Sequence, residues 1–161
     1  MNLSEVIREN MDAILTEWDA FAESLDPTPA GMSAAELRDD ARQIIKTLAS
    51  DIELPQTPSL LSSSLPGGQA GTPPAASVHG ALRQMSGFSL PQVRAEYVSL
   101  RISILRLWQA RHDVTGQRYV DAEILFDAAI AAAVFESVES YVRQEARLDA
   151  GLRAIGNCGP A

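Results

Sequence analysis

Apolar residues in this chain return every third or fourth position, and that spacing admits little besides helices. Leu3, Ile7, Met11, Ile14, Trp18, Phe21 and Leu25 make one stripe along a helical surface. Asp26-Pro27-Thr28-Pro29 closes it, because proline lacks an amide donor and restricts the residue before it. Ser33 followed by Glu36 is a capping-box start. A second stripe then runs through Leu37, Ala41, Ile44, Leu48 and Ile52. A third helix is expected from Ala75 to about Met85, stopped by Gly87 in a left-handed cap. Ser89 caps a fourth, with Pro91 tolerated in its first turn. A fifth starts near Tyr119. The expected spans are 3–25, 33–53, 75–86, 90–112 and 118–150. The fold class is therefore all-α, a bundle of about five helices with a long C-terminal helix. A globin-like arrangement is among the packings open to it.

The segment from Leu54 to Pro74 has no period and almost no charge, and is rich in Pro, Ser and Gly. It reads as a long mobile loop inside a helical domain spanning 1–143. Residues 144–161 read as a helical extension, in which Leu148, Leu152 and Ile155 keep helical spacing despite Gly151. The formal net charge of −8 argues against a nucleic-acid or anionic-membrane partner, since neither phosphates nor lipid headgroups would meet a basic stripe. No run of about 18 apolar residues exists to span a bilayer. The N-terminus lacks the basic start and apolar run of a signal peptide. A single cysteine, Cys158, cannot close an internal disulfide and is assigned no role, so a cytoplasmic location is expected.

The fourth helix is apolar on two sides. Val93, Tyr97, Leu100, Ile104 and Trp108 form one row, and Val98, Ile102 and Leu105 another. Such a helix is either central or shared with a partner. In the fifth helix the run from Ala128 to Ala133 allows close approach of a neighbour, and Ile124, Phe135, Val138 and Val142 extend that face. Together these features predict a homodimer.

Signatures of catalysis are absent. The chain has no Gly-x-Ser-x-Gly, no phosphate-cradling glycine loop and no Glu-x-x-His pair. Two histidines, His79 and His112, and one cysteine are too few for a closed zinc site. The chain is therefore not read as an enzyme, and no metal is expected. His79 invites two readings: a proton or ligand sensor, haem included, or a structural histidine bonding across helices. Arg83 lies one turn on and shares its face, so the two want an acidic partner, with Glu96 and Glu136 the candidates. Glu96 and Arg101, five apart, each reach toward a neighbouring helix, as a structural ion-pair layer or as a ligand clamp. Trp18, Tyr97 and Trp108 read as core aromatics. The expectation is a polar layer of His79, Arg83, Glu96 and Arg101 between the third, fourth and fifth helices, with Tyr97 beside it.

The stretch from His79 to Trp108 resembles the RsbRD-type N-terminal sensory domain, an all-helical input module of bacterial sensor histidine kinases and stressosome regulators. His79, Arg83, Gly87, Phe88, Glu96, Tyr97, Leu100, Arg101 and Trp108 match its pattern. Residues 32–45 look like the family's second helix, and Phe126 through Val138 resembles its last. Two positions depart: Asp40 stands where relatives carry His, and Ala131 where they carry Asp. The resemblance implies a fold and a sensory role, without assigning a ligand. It implies the input domain of a cytoplasmic sensor histidine kinase. Its last helix, with Tyr141, Leu148 and Leu152, would transmit a signal to a dimeric kinase core beyond Ala161. The alternatives are a stressosome regulator, or a stand-alone globin-like protein binding haem through His79 or a small molecule.

Overall fold

The computed structural model describes residues 2–25, 31–53, 74–111 and 116–156, and these are all-helical. All of the expected Leu54–Pro74 loop but Pro74, which is the N-cap of α4, lies outside the described residues, as do His112 and Cys158. Six helices occur among those described: α1 (Leu3–Glu9), α2 (Met11–Glu23), α3 (Ala34–Asp51), α4 (Ala75–Met85), α5 (Leu90–Arg111) and α6 (Gln117–Gly156). None is long and apolar enough to cross a membrane.

The first stripe is two helices rather than one. At Asn10 the backbone leaves helical geometry, with φ −111° and ψ 19°. The feature at this point is local: the Asn10 side chain donates a 2.6 Å hydrogen bond to the Val6 carbonyl, which also accepts from the Asn10 amide at 3.1 Å. The apolar stripe survives the break, since Leu3, Val6 and Ile7 of α1 and Ile14, Leu15 and Trp18 of α2 are all buried.

Capping follows the sequence closely. Ser33 Oγ accepts from the Glu36 amide and Glu36 returns a bond to the Ser33 amide, which starts α3. Ser89 and Gln92 do the same at α5. Gly87 sits at φ +81°, in the region that favours glycine. There the Phe88 amide donates to the Arg83 carbonyl and the Gly87 amide to that of Gln84, the paired bonds of a Schellman stop.

The core lies between α1, α2 and α3 on one side and α5 and α6 on the other. In α5 the row Val93, Tyr97, Leu100, Ile104 and Trp108 is buried. In the second row Leu105 is buried, while Val98 and Ile102 face outward. Trp108 stacks on Tyr119 of α6 at 5.6 Å. Helix α4 lies against α6 so closely that the backbones nearly touch at Gly80 and Ser137. A Cβ on Gly80 would stand 1.9 Å from the Ser137 carbonyl oxygen. In the alanine run of α6, Ala129 joins the core while Ala128 and Ala131 are exposed, and Ile124, Phe135 and Val142 also lie exposed.

Gly80→Ala tests this contact. Alanine gains about 1 kcal/mol of helix propensity over glycine. The clash is with backbone, which cannot swing aside, and overpacking costs about 1–3 kcal/mol or more. We expect a net loss of stability of about 1–2 kcal/mol in urea unfolding. A more stable variant would mean that the helices are farther apart.

Candidate functional site

Four charged side chains meet in the interior where α3, α4 and α5 converge. Arg83 of α4 is completely buried and Glu96 of α5 is 1% exposed. The Arg83 Nε donates to both carboxylate oxygens of Glu96, at 2.9 and 3.0 Å. Its Nη1 lies 3.0 Å from Asp40 Oδ2 of α3 and 3.5 Å from the Met32 sulfur. The guanidinium also lies over the Phe88 ring at 4.8 Å and near the Trp18 ring at 5.8 Å. Both are within the range of cation–π attraction.

His79 closes the group. Its Nδ1 donates to Asp40 Oδ2 at 2.6 Å. Its Nε2 lies 3.1 Å from Glu96 Oε2, off-line for a well-formed hydrogen bond but within ion-pair range. A neutral imidazole carries a lone pair on one nitrogen, and here that lone pair would face a carboxylate. Only the imidazolium suits both sides. With His79 charged, two cations balance two anions. Burial by itself would lower the His79 pKa, but the bond to Asp40 and the adjacent Glu96 carboxylate outweigh it and hold the group above its ordinary value.

Tyr97 completes the site. Its ring meets His79 edge-on at 5.5 Å. Its hydroxyl lies 2.6 Å from Ser137 Oγ, which itself donates to the Ala76 carbonyl at 2.6 Å. Because Ser137 spends its proton on Ala76, Tyr97 is the donor to Ser137. Burial pushes the phenol well above its usual pKa and keeps that proton in place. A second link runs from Arg83 through Phe88 to α6, where the Tyr141 hydroxyl donates to the Phe88 carbonyl at 2.8 Å.

His79, Arg83, Glu96 and Tyr97 thus converge as the sequence predicts, and Arg101 does not. Five residues after Glu96 is about 140° around a helix at 3.6 residues per turn, so Arg101 leaves on another side. It makes a two-pronged pair with Asp127 of α6 at 2.7 and 2.9 Å, with side chains 38% and 43% exposed. The layer also lies one helix away from its expected place: α3 supplies a carboxylate, and α6 supplies only Ser137. Glu136 is half-buried near Asp51 and takes no part; burial first, then Asp51, raises its pKa. Leu148 and Leu152 are exposed on the far end of α6.

Asp40 is the member that sequence reasoning missed. Its signal is its place, three residues after Leu37 and four before Ile44, on the inward stripe of α3. It also occupies one of the two positions where the chain departs from the family pattern.

The site suits charge storage better than bond chemistry. The void beside His79, Glu96 and Tyr97 has no room for a water molecule. A haem iron would need a ring nitrogen that here faces a carboxylate, so these residues do not fit haem. Among the described residues no group of three or more His, Cys, Asp or Glu side chains is arranged to hold a metal ion. Neither a protein-family model, a curated protein nor a solved structure matches this chain.

Two substitutions separate the buried pair from the surface pair. Glu96→Ala leaves Arg83 without its main partner and is expected to cost about 3–5 kcal/mol. Arg101→Ala removes an exposed pair and is expected to cost about 1 kcal/mol or less. Urea unfolding of both measures the contrast. Equal losses would mean that Glu96 is reached by water.

Proposed function

We propose that this chain is an RsbRD-type sensory domain, the N-terminal input unit of a cytoplasmic sensor histidine kinase. A globin-like helix arrangement is the finer form of the same reading. The observation that carries it is the shape of α6. One helix of 40 residues, about 60 Å at 1.5 Å per residue, runs without a break from the core to open solvent. Its earlier part holds Ser137 and Tyr141, which bond to the elements around the buried charges. Every residue from Glu145 to Ile155 is exposed. Tyr141, Leu148 and Ile155 are seven apart and Leu152 follows Leu148 by four, the spacing of a coiled-coil seam interrupted by Glu145. Such a helix carries a change in the bundle to whatever follows it, by shift or rotation.

The same reading makes the domain a homodimer. Val98 and Ile102 on α5, and Ile124, Phe135 and Val142 on α6, are large apolar side chains without cover among the described residues. A shallow groove lined by Leu90, Ala131, Val134, Phe135, Val138 and Val142 joins the two helices. A two-fold partner burying its own copy of this groove would cover Phe135 and Val142.

In sedimentation, the chain is expected to dimerise with a midpoint near about 1 μM, which corresponds to about −8.2 kcal/mol. Phe135→Asp with Val142→Asp should give a monomer of unchanged helicity. A wild-type monomer at about 100 μM would count against the dimer. The sensory role is tested by joining Ile155 in helical register to the dimerisation helix of a characterised kinase core. Inserting one to seven residues at the junction should make autophosphorylation rise and fall with the heptad. Output indifferent both to the insertions and to Tyr141→Phe would overturn the reading.

A further inference from the structure

We propose that the buried quartet is a proton-operated switch: one proton on His79 clamps α3, α4 and α5 together, and its release loosens the Phe88 corner that tethers α6. The inference rests on the sensory reading and names the stimulus as proton activity. It stands on geometry. His79 and Arg83 both sit between two carboxylates from different helices, Asp40 of α3 and Glu96 of α5, and of these two cations His79 is the one that can give up its proton near neutrality. Arg83, on its own helix, is the other cation. Among the described residues, Tyr97 of α5 is the further titratable side chain against His79, and it stays protonated. Helix α2 presents Trp18 and α6 presents Ser137, neither of which titrates near neutrality.

When His79 gives up its proton to solvent, the site holds one cation against two anions, closed off from water. The lone pair left on the ring faces a carboxylate whichever nitrogen loses the proton. Relief comes from separating the carboxylates or admitting water, and either moves α4. That helix cannot move without its partners. Arg83 is bonded through its carbonyl to the Phe88 amide, and its guanidinium lies on the Phe88 ring. The Phe88 carbonyl holds the Tyr141 hydroxyl, just where α6 leaves the bundle. The close contact of Gly80 with Ser137 couples the same two helices one turn earlier.

The sign follows from the direction of the shift. The folded-state pKa of His79 lies above its unfolded value of 6.5. The clamp is therefore complete below that value and is lost as pH rises through the folded pKa. The switch answers to alkalinisation.

The test uses the intact chain. Imidazole nitrogen shifts, assigned by comparison with His79→Gln, follow the His79 proton between about pH 6 and about pH 9. Hydrogen exchange, corrected for its intrinsic pH dependence, follows protection of residues 137–144 over the same interval. His79 is expected to be an imidazolium at neutral pH. As it deprotonates, protection around Tyr141 should fall by about tenfold, and this step should vanish in His79→Gln. Asp40→Asn removes one carboxylate, so it should move the His79 midpoint and the α6 step to lower pH together, and it serves if His79→Gln does not fold. A neutral His79 at pH 7, or deprotonation that leaves α6 protection within about twofold, would overturn the switch. So would an α6 step that stays in place when Asp40→Asn moves the His79 midpoint. If α6 responds to pH while the fused kinase does not, the sensory reading fails and the switch stands.

Discussion

A guanidinium shut away from water has to meet its counter-charge inside the protein, and in this chain that requirement falls on Arg83. Its carboxylate partners come from positions 40 and 96, on two helices far apart in sequence. Satisfying one side chain therefore fixes three helices against one another. The apolar core alone would tolerate small slips along these helices, because aliphatic contacts have little direction. A hydrogen-bonded charge pair is less forgiving, since a slip that breaks it leaves a charge without compensation. The corner at Gly87 belongs to the same constraint. It turns the chain so that the Phe88 ring covers the guanidinium and the Phe88 amide caps the Arg83 carbonyl.

Much of this was legible in the residues, because the signals were local. The capping pairs Ser33/Glu36 and Ser89/Gln92 work over three residues, and Gly87 answers a steric demand of a single position. His79, Arg83, Glu96 and Tyr97 could be grouped because each is polar or aromatic on a stripe that is otherwise aliphatic. The failures have physical causes too. Asn10 lies within an unbroken apolar stripe, and periodicity does not register a side chain that bonds back to one carbonyl. Asp40 is brought to the site by tertiary packing across 39 positions of sequence. Arg101 looked like a member because of its motif, but its angle around α5 had already placed it elsewhere.

The two apolar rows of α5 show a further limit of reading from spacing. Both rows are built of large apolar residues at helical spacing, so spacing alone does not rank Val93 and Val98. In the fold they differ completely: Val93 is buried and Val98 is more than half exposed. What decides between them is how the neighbouring helices pack against α5, which is a matter of tertiary structure.

The two hydroxyls that tie α6 to the α4 region, on Ser137 and Tyr141, both end on main-chain carbonyls, those of Ala76 and Phe88. Main-chain oxygens are present whatever the side chain. Residues 76 and 88 could change without erasing these two bonds, so long as the backbone path held, while positions 137 and 141 have no such freedom. The side-chain information for these two bonds is thus written on α6, while α4 contributes the glycine at position 80 that lets the helices approach. That helix could be exchanged between bundles that keep this backbone path and a glycine at position 80, and still find its anchorage.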